Sequence, residues 1–175
     1  MFNQLKTQLT WKQEDIKIFG KICKLPRLTS WCSDKNETYT FSGIVNRPSC
    51  WTAAALKIKN RIECQAHYSF NSMLANLYRD GSDGIAWHSD NEPELGSSPV
   101  IGSVSFGVSR PFKMRHKILG KRHTINLNHG SFLLMSGKTQ SYWLHSIPRT
   151  KRAIGARINL TFRTVGIDSL ERTLI

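Results

Sequence analysis

Seven short runs, at 72–78, 100–106, 111–116, 123–127, 131–135, 141–145 and 156–164, are rich in β-branched or aromatic residues and are separated by Gly, Asn, Pro or charged turns. Such residues pack well on a pleated, half-buried surface, so the runs predict strands and confine the chain to a β-rich fold. The contrast is 49–62, where Trp51, Ala55, Ile58 and Ile62 recur at helical spacing while Lys57, Lys59, Asn60 and Arg61 occupy the rest of the wheel. The expectation is a mainly β (α+β) fold, a barrel or sandwich decorated by helices near the N-terminus. A double-sheet jelly roll uses about this many short strands and commonly encloses a ligand between its sheets.

Alternation along the last run sharpens this reading. Arg157, Asn159, Thr161 and Arg163 share one face, and Ile158, Leu160 and Phe162 the other. The apolar face packs. The cationic face is either a solvent-facing side or a site for a dianion, since two guanidinium forks framing an Asn could grip both ends of a small dicarboxylate. Asn76 and Tyr78 likewise share a face of the 72–78 run and offer amide and phenol hydrogen bonds.

The 175 residues are 39% apolar and 10% aromatic, with no internal repeat or Pro/Gly/Ser-rich hinge, which fits one globular domain over 1–175. No apolar run is long enough to span a bilayer, and the start Met1-Phe2-Asn3-Gln4-Leu5-Lys6 lacks a secretory pattern. An intracellular, cytoplasmic monomer is expected, or a nuclear one in a eukaryote. Cys23, Cys32, Cys50 and Cys64 are widely separated and form no Cys-x-x-Cys pair, so reduced, mostly packed thiols are expected. The net charge is +13, and between Leu95 and Ile167 there is no Asp or Glu among twelve Lys and Arg residues. That pattern calls for a polyanion, and nucleic acid suits it better than a lipid surface, because the acid-free stretch shows no amphipathic basic helix. Five of the twelve acids lie instead between Asp80 and Glu94, where they suit a cation.

Within that acidic stretch His88 and Asp90 stand two apart, and His145 follows far downstream. Two imidazoles and a carboxylate on one face of an octahedral ion leave the opposite positions open, the ligand set of non-haem Fe(II) oxygenases. The spacing also fits a surface turn, and the same ligands suit a zinc hydrolase, although zinc would leave the paired arginines without a role.

The motifs Asn76-Leu77-Tyr78-Arg79-Asp80-Gly81, His88-Ser89-Asp90-Asn91-Glu92-Pro93, Ser103-Val104-Ser105-Phe106-Gly107, His129-Gly130-Ser131, His145 and Arg157-Ile158-Asn159-Leu160-Thr161-Phe162-Arg163 closely resemble the AlkB family of Fe(II)/2-oxoglutarate-dependent nucleic-acid dealkylases. Pro26-Arg27-Leu28-Thr29-Ser30-Trp31 and Tyr39-Thr40-Phe41-Ser42-Gly43 look most like its eukaryotic-type DNA and RNA repair branch. The resemblance implies a double-stranded β-helix of the cupin-like jelly-roll type, with a nucleotide-recognition lid over about 1–50 and the jelly-roll core over about 66–165. It implies Fe(II) on His88, Asp90 and His145, with 2-oxoglutarate and O2 as co-substrates. Arg157 and Tyr78 would take the distal carboxylate of 2-oxoglutarate, and Asn76, Asn159 and Arg163 the end that chelates iron.

The implied reaction is oxidative demethylation of 1-methyladenine or 3-methylcytosine in DNA, releasing formaldehyde, succinate and CO2. By resemblance the flipped base would lie between Phe41 and His88, with Tyr39 and Ser42 nearby, Trp31 in the lid and Arg27 among the contacts. Glu92 would accept a hydrogen bond from the exocyclic amine. An aromatic face favours the cationic lesions by about 0.5–2 kcal/mol. Phe19 sits where relatives that repair duplexes carry an apolar finger, whereas the 26–31 and 87–93 runs look more like relatives that prefer single strands, including RNA. An RNA demethylase of the same mechanism and a non-catalytic module binding methylated nucleic acid remain the alternatives. His67, His116, His123 and His129 are expected at the surface or in turns.

Overall fold

The computed structural model describes the chain apart from residues 19, 35–38, 42–43, 47, 153 and 167–175, and at 17–18, 39–41 and 44–46 it describes the backbone alone. The order of elements is α1 (Phe2–Gln8), β1 (Asp15–Ile18), β2 (Lys21–Lys24), β3 (Leu28–Ser33), β4 (Tyr39–Phe41), β5 (Ile44–Asn46), α2 (Ala53–Ala66), β6 (Ser72–Tyr78) and β7 (Ile85–His88). A 3-10 turn at Pro93–Leu95 leads to β8 (Ile101–Gly107), β9 (Arg110–His116), β10 (Arg122–Leu127), β11 (Phe132–Met135), α3 (Thr139–Tyr142), β12 (Trp143–Ile147) and β13 (Arg157–Arg163).

Two antiparallel sheets carry the architecture. The larger is ordered β11-β8-β13-β6-β3 and the smaller β10-β9-β12-β7, while β1-β2 and β4-β5 form separate hairpins. This is the expected mainly β, double-sheet jelly-roll fold. All seven residues of β13 are buried, which rules out a solvent-facing side for its cationic face. Ile158, Leu160 and Phe162 pack with Met73, Ala75, Leu77, Val104 and Phe106 under Leu5 and Leu9 of the N-terminal segment and Ala55, Ile58 and Ile62 of α2. On the opposite face Tyr78, Ile101, Phe112, Leu127, Met135 and Ile147 form a second apolar cluster between the sheets. The polar face of β13 is therefore turned inward.

Local chemistry explains where the boundaries depart from expectation. The helix runs 53–66 instead of 49–62, because Thr52 accepts the Ala55 N–H at 3.2 Å as an N-cap. Trp51 then lies ahead of the helix and stacks on Phe162 at 6.3 Å. The run expected at 141–145 divides into the single turn α3 and β12. The first fifty residues hold more structure than periodicity revealed, and one of their strands, β3, joins the larger sheet at its edge by pairing with β6. Gly107 ends β8 at φ +92°, and a Cβ there would meet the Ala156 carbonyl, so only glycine fits this joint. No described helix is long and apolar enough to cross a membrane.

Candidate metal centre

His88 closes β7 and His145 lies opposite it on β12, with ring centroids 4.2 Å apart. The register between these strands slips, since His145 pairs with His88 but Ile147 with Ile85. The extra residue on β7 lets Ile85 and His88, which simple alternation would set on opposite faces, both line the same cavity. The His88 Nδ1–H donates to the Ala86 carbonyl at 2.9 Å, which leaves Nε2 as the acceptor turned toward Asp90.

Asp90 follows the end of β7 and is 1% exposed. Its Oδ2 accepts from Arg163 Nη2 at 2.9 Å, while Oδ1, 3.7 Å from His88 Nε2, has no hydrogen-bond partner. His145 Nδ1 is also buried without a partner, and Phe112 stacks on the ring at 5.2 Å. One ligand atom from each of His88, Asp90 and His145 falls within a 4.8 Å cluster, the one such group among the described residues.

Electrostatics prepare these groups for a cation. Burial pushes the Asp90 carboxyl up, but the Arg163 guanidinium and the two imidazoles outweigh it and bring it to about 2. Burial, helped by the His88 charge, lowers His145 to about 3, and burial lowers His88 as well. At neutral pH the site holds one carboxylate and two neutral imidazoles with unpartnered buried acceptors, a set that fits a divalent metal with open positions.

The inward residues of β13 and β6 continue the cavity from the triad. Register pairs Arg157 with Tyr78 and Asn159 with Asn76. Arg157 is 1% exposed, donates from Nη2 to Ser105 Oγ at 2.9 Å, lies 5.2 Å from the Tyr78 ring centroid, and has Nε and Nη1 without partners. Among the described residues no carboxylate stands within ion-pair distance of it. The two arginines, alike in sequence, are thus unlike in structure: Arg163 binds Asp90, whereas Arg157 has two donor nitrogens without hydrogen-bond partners. Asn159 is spent within the fold, donating to Ser103 Oγ at 2.8 Å and to the Val104 carbonyl at 3.1 Å.

The residues expected at the base-binding side divide. Arg27 is buried, lines the cavity and donates from Nε to Asn76 Oδ1 at 2.7 Å. Glu92 is half-buried with Oε2 unpartnered, and burial pushes its carboxyl up. Trp31, expected in the lid, stands on β3 and is buried against Leu74. Tyr39 and Phe41 bound β4, whose side chains lie outside the description, and Phe19 and Ser42 lie outside the described residues. Two of the largest buried polar side chains carry no sequence motif. Arg110 and Gln140 are each 1% exposed, and no pattern around either distinguishes it from surface neighbours.

Residues 1–163 match the profile of the 2OG-Fe(II) oxygenase superfamily. The chain is 42% identical over 178 residues to the alpha-ketoglutarate-dependent dioxygenase alkB homolog 3 of Bos taurus, covering 96% of this chain and 62% of the relative. It is 38% identical over 158 residues to the DNA oxidative demethylase ALKBH2 of Homo sapiens, covering 86% of this chain and 60% of that protein. The chain thus spans about three fifths of the length of these curated relatives. Among solved structures that of OsALKBH1 shares the fold, with a TM-score of 0.56 at 19% identity over 87% of this chain and 80% of the other.

Proposed function

Because the chain belongs to the 2OG-Fe(II) oxygenase superfamily, and within it to the AlkB type, we propose that it is an oxidative demethylase of N-methylated bases in DNA. The observation that carries the proposal is the joining, in one cavity, of a His-Asp-His metal site with a buried arginine that lacks a carboxylate. A buried guanidinium with no carboxylate beside it is costly, and the distal carboxylate of 2-oxoglutarate would relieve that cost.

His88, Asp90 and His145 would hold Fe(II), which would supply O2-dependent hydroxylation of the N-methyl group coupled to conversion of 2-oxoglutarate to succinate and CO2, the hydroxylated methyl being lost as formaldehyde. The protein binds, orients and excludes water. Arg157 and Tyr78 anchor the distal carboxylate, and Asn76, Asn159 and Arg163 shape the end nearest the metal. Glu92, Arg27, Trp31, Tyr39, Phe41 and Ser42 form the base side, and Phe19 the finger that enters a duplex. Glu92 keeps a buried oxygen free to accept from an exocyclic amine.

The acid-free stretch 95–167 supports a nucleic-acid backbone as partner. Arg149, Lys151 and Arg152 line one open depression, and Lys117, Lys121 and Arg122 surround the β9–β10 tip. DNA is favoured over RNA by the relatives named as DNA demethylases.

The test loads the chain with Fe(II) without air, then adds 2-oxoglutarate and air with matched single-stranded DNA, duplex DNA or RNA carrying one 1-methyladenine. Mass spectrometry should show loss of the methyl group from DNA that requires both iron and 2-oxoglutarate. Preference for the RNA oligonucleotide would move the substrate to RNA. Tight binding without succinate would make the chain a binding module.

A further inference from the structure

His88 and His145 are held by the β7–β12 ladder, but Asp90 lies beyond the end of β7 and belongs to no strand. Its side chain is fixed by Arg163; its main chain needs a second support, because a buried N–H demands an acceptor. That acceptor is Gln140 Oε1 at 2.9 Å. Gln140 lies in α3, immediately before the strand that carries His145, so one carboxamide ties the two ligand-bearing segments together.

Gln140 is itself 1% exposed, an unusual place for a glutamine. Its Nε2 donates to Met135 Sδ at 3.6 Å, and its backbone carbonyl accepts from Lys117 Nζ at 2.8 Å. The same ammonium donates to Ser89 Oγ at 3.2 Å, and the Lys117 N–H to the Tyr142 carbonyl at 2.8 Å. Lys117 follows the last residue of β9, so the cationic hairpin, α3 and the Ser89-Asp90 segment meet at one pair of side chains.

We propose that Gln140 is a positioning residue of the metal centre, holding the Asp90 main chain in register with His145, and that Lys117 locks this brace from the hairpin side. The proposal rests on the triad's binding a divalent metal. It assigns Gln140 no contact with metal or substrate. Outer partners of metal ligands typically change affinity by about 10–100-fold when removed.

The test titrates the metal-free protein with Co(II) under nitrogen, reading affinity and ligand geometry from the visible d–d bands, with thermal unfolding of the metal-free protein alongside. Gln140→Met should lower Co(II) affinity by about tenfold and alter the d–d spectrum, and Lys117→Met should lower affinity by a smaller factor, about threefold. A purely structural glutamine would lower the unfolding temperature and leave affinity and spectrum native, and that outcome overturns the brace. Should Gln140→Met not fold, Lys117→Met decides, and native affinity and spectrum there would overturn the proposal. Failure of the unaltered protein to bind Co(II) any better than His145→Ala would overturn the metal centre and the brace with it.

Discussion

Arg157 and Arg163 are both buried and both point between the sheets, yet their partners give them different work. Arg163 neutralises the Asp90 carboxylate, and Arg157 keeps Nε and Nη1 without hydrogen-bond partners. Arg157→Met should therefore raise the 2-oxoglutarate concentration needed for half-maximal turnover while metal affinity stays within about twofold, as read by Co(II) and 2-oxoglutarate titrations. An unchanged 2-oxoglutarate requirement would return this side chain to the core. Arg163→Met leaves the Asp90 carboxylate buried and unpaired, at a cost of about 3–5 kcal/mol to the metal-free fold in chemical denaturation. Both arginines were legible in sequence as a cationic strand face. Their division of labour was not, because the acid that claims Arg163 is Asp90, remote in sequence.

At the scale of elements, the loops flanking the cavity depend on a residue that no motif marks. Arg110 at the start of β9 donates to the carbonyls of Asp80 at 3.1 Å, Asp83 at 2.9 Å and Pro148 at 2.7 Å, joining the β6–β7 turn to the segment after β12. Its guanidinium also lies 5.8 Å from the Tyr78 ring centroid. Arg110→Met strands three carbonyls and should destabilise the fold by about 3 kcal/mol in urea titration. A loss below about 1 kcal/mol would mean that water replaces the guanidinium. The strands of the two sheets were readable because their residues alternate or run apolar. The β7 bulge and the α3 turn were not, since a bulge breaks alternation and a four-residue helix is too short to show a period.

Charge and protonation act on the whole molecule. The acid-free stretch predicts that affinity for a single-stranded oligonucleotide falls at least tenfold between about 50 and about 200 mM salt. A salt-independent affinity would point to base contacts alone. Acid should act through the metal site. His145 sits at about 3 when folded against 6.5 ordinarily, so the unfolded chain takes up the proton first as pH falls. Its contribution to stability is full above about 6.5 and lost progressively toward about 3, with His88 shifted in the same direction. Asp90, lowered from 3.8 to about 2, adds a loss only at more acidic pH. Calorimetry of the metal-free protein should show the unfolding temperature dropping between about pH 7 and about pH 4.5, with a shallower drop in His145→Gln. Equal slopes would exclude His145 as the source.

By itself the sequence determined the mainly β fold class, the His-Asp-His set that the fold gathers and the arginine-bearing strand, and it carried the charge pattern from which a polyanion partner is proposed, because period, spacing and net charge are local or additive properties of a chain. Tertiary structure alone decided that the cationic face of β13 turns inward, that Arg163 serves Asp90 while Arg157 keeps its donors, that a slipped register aims His88 into the cavity, and that Gln140 and Arg110 are buried. Each of these depends on which groups from distant segments meet away from water, and hydrogen-bond satisfaction in that interior is settled only when the two sheets close.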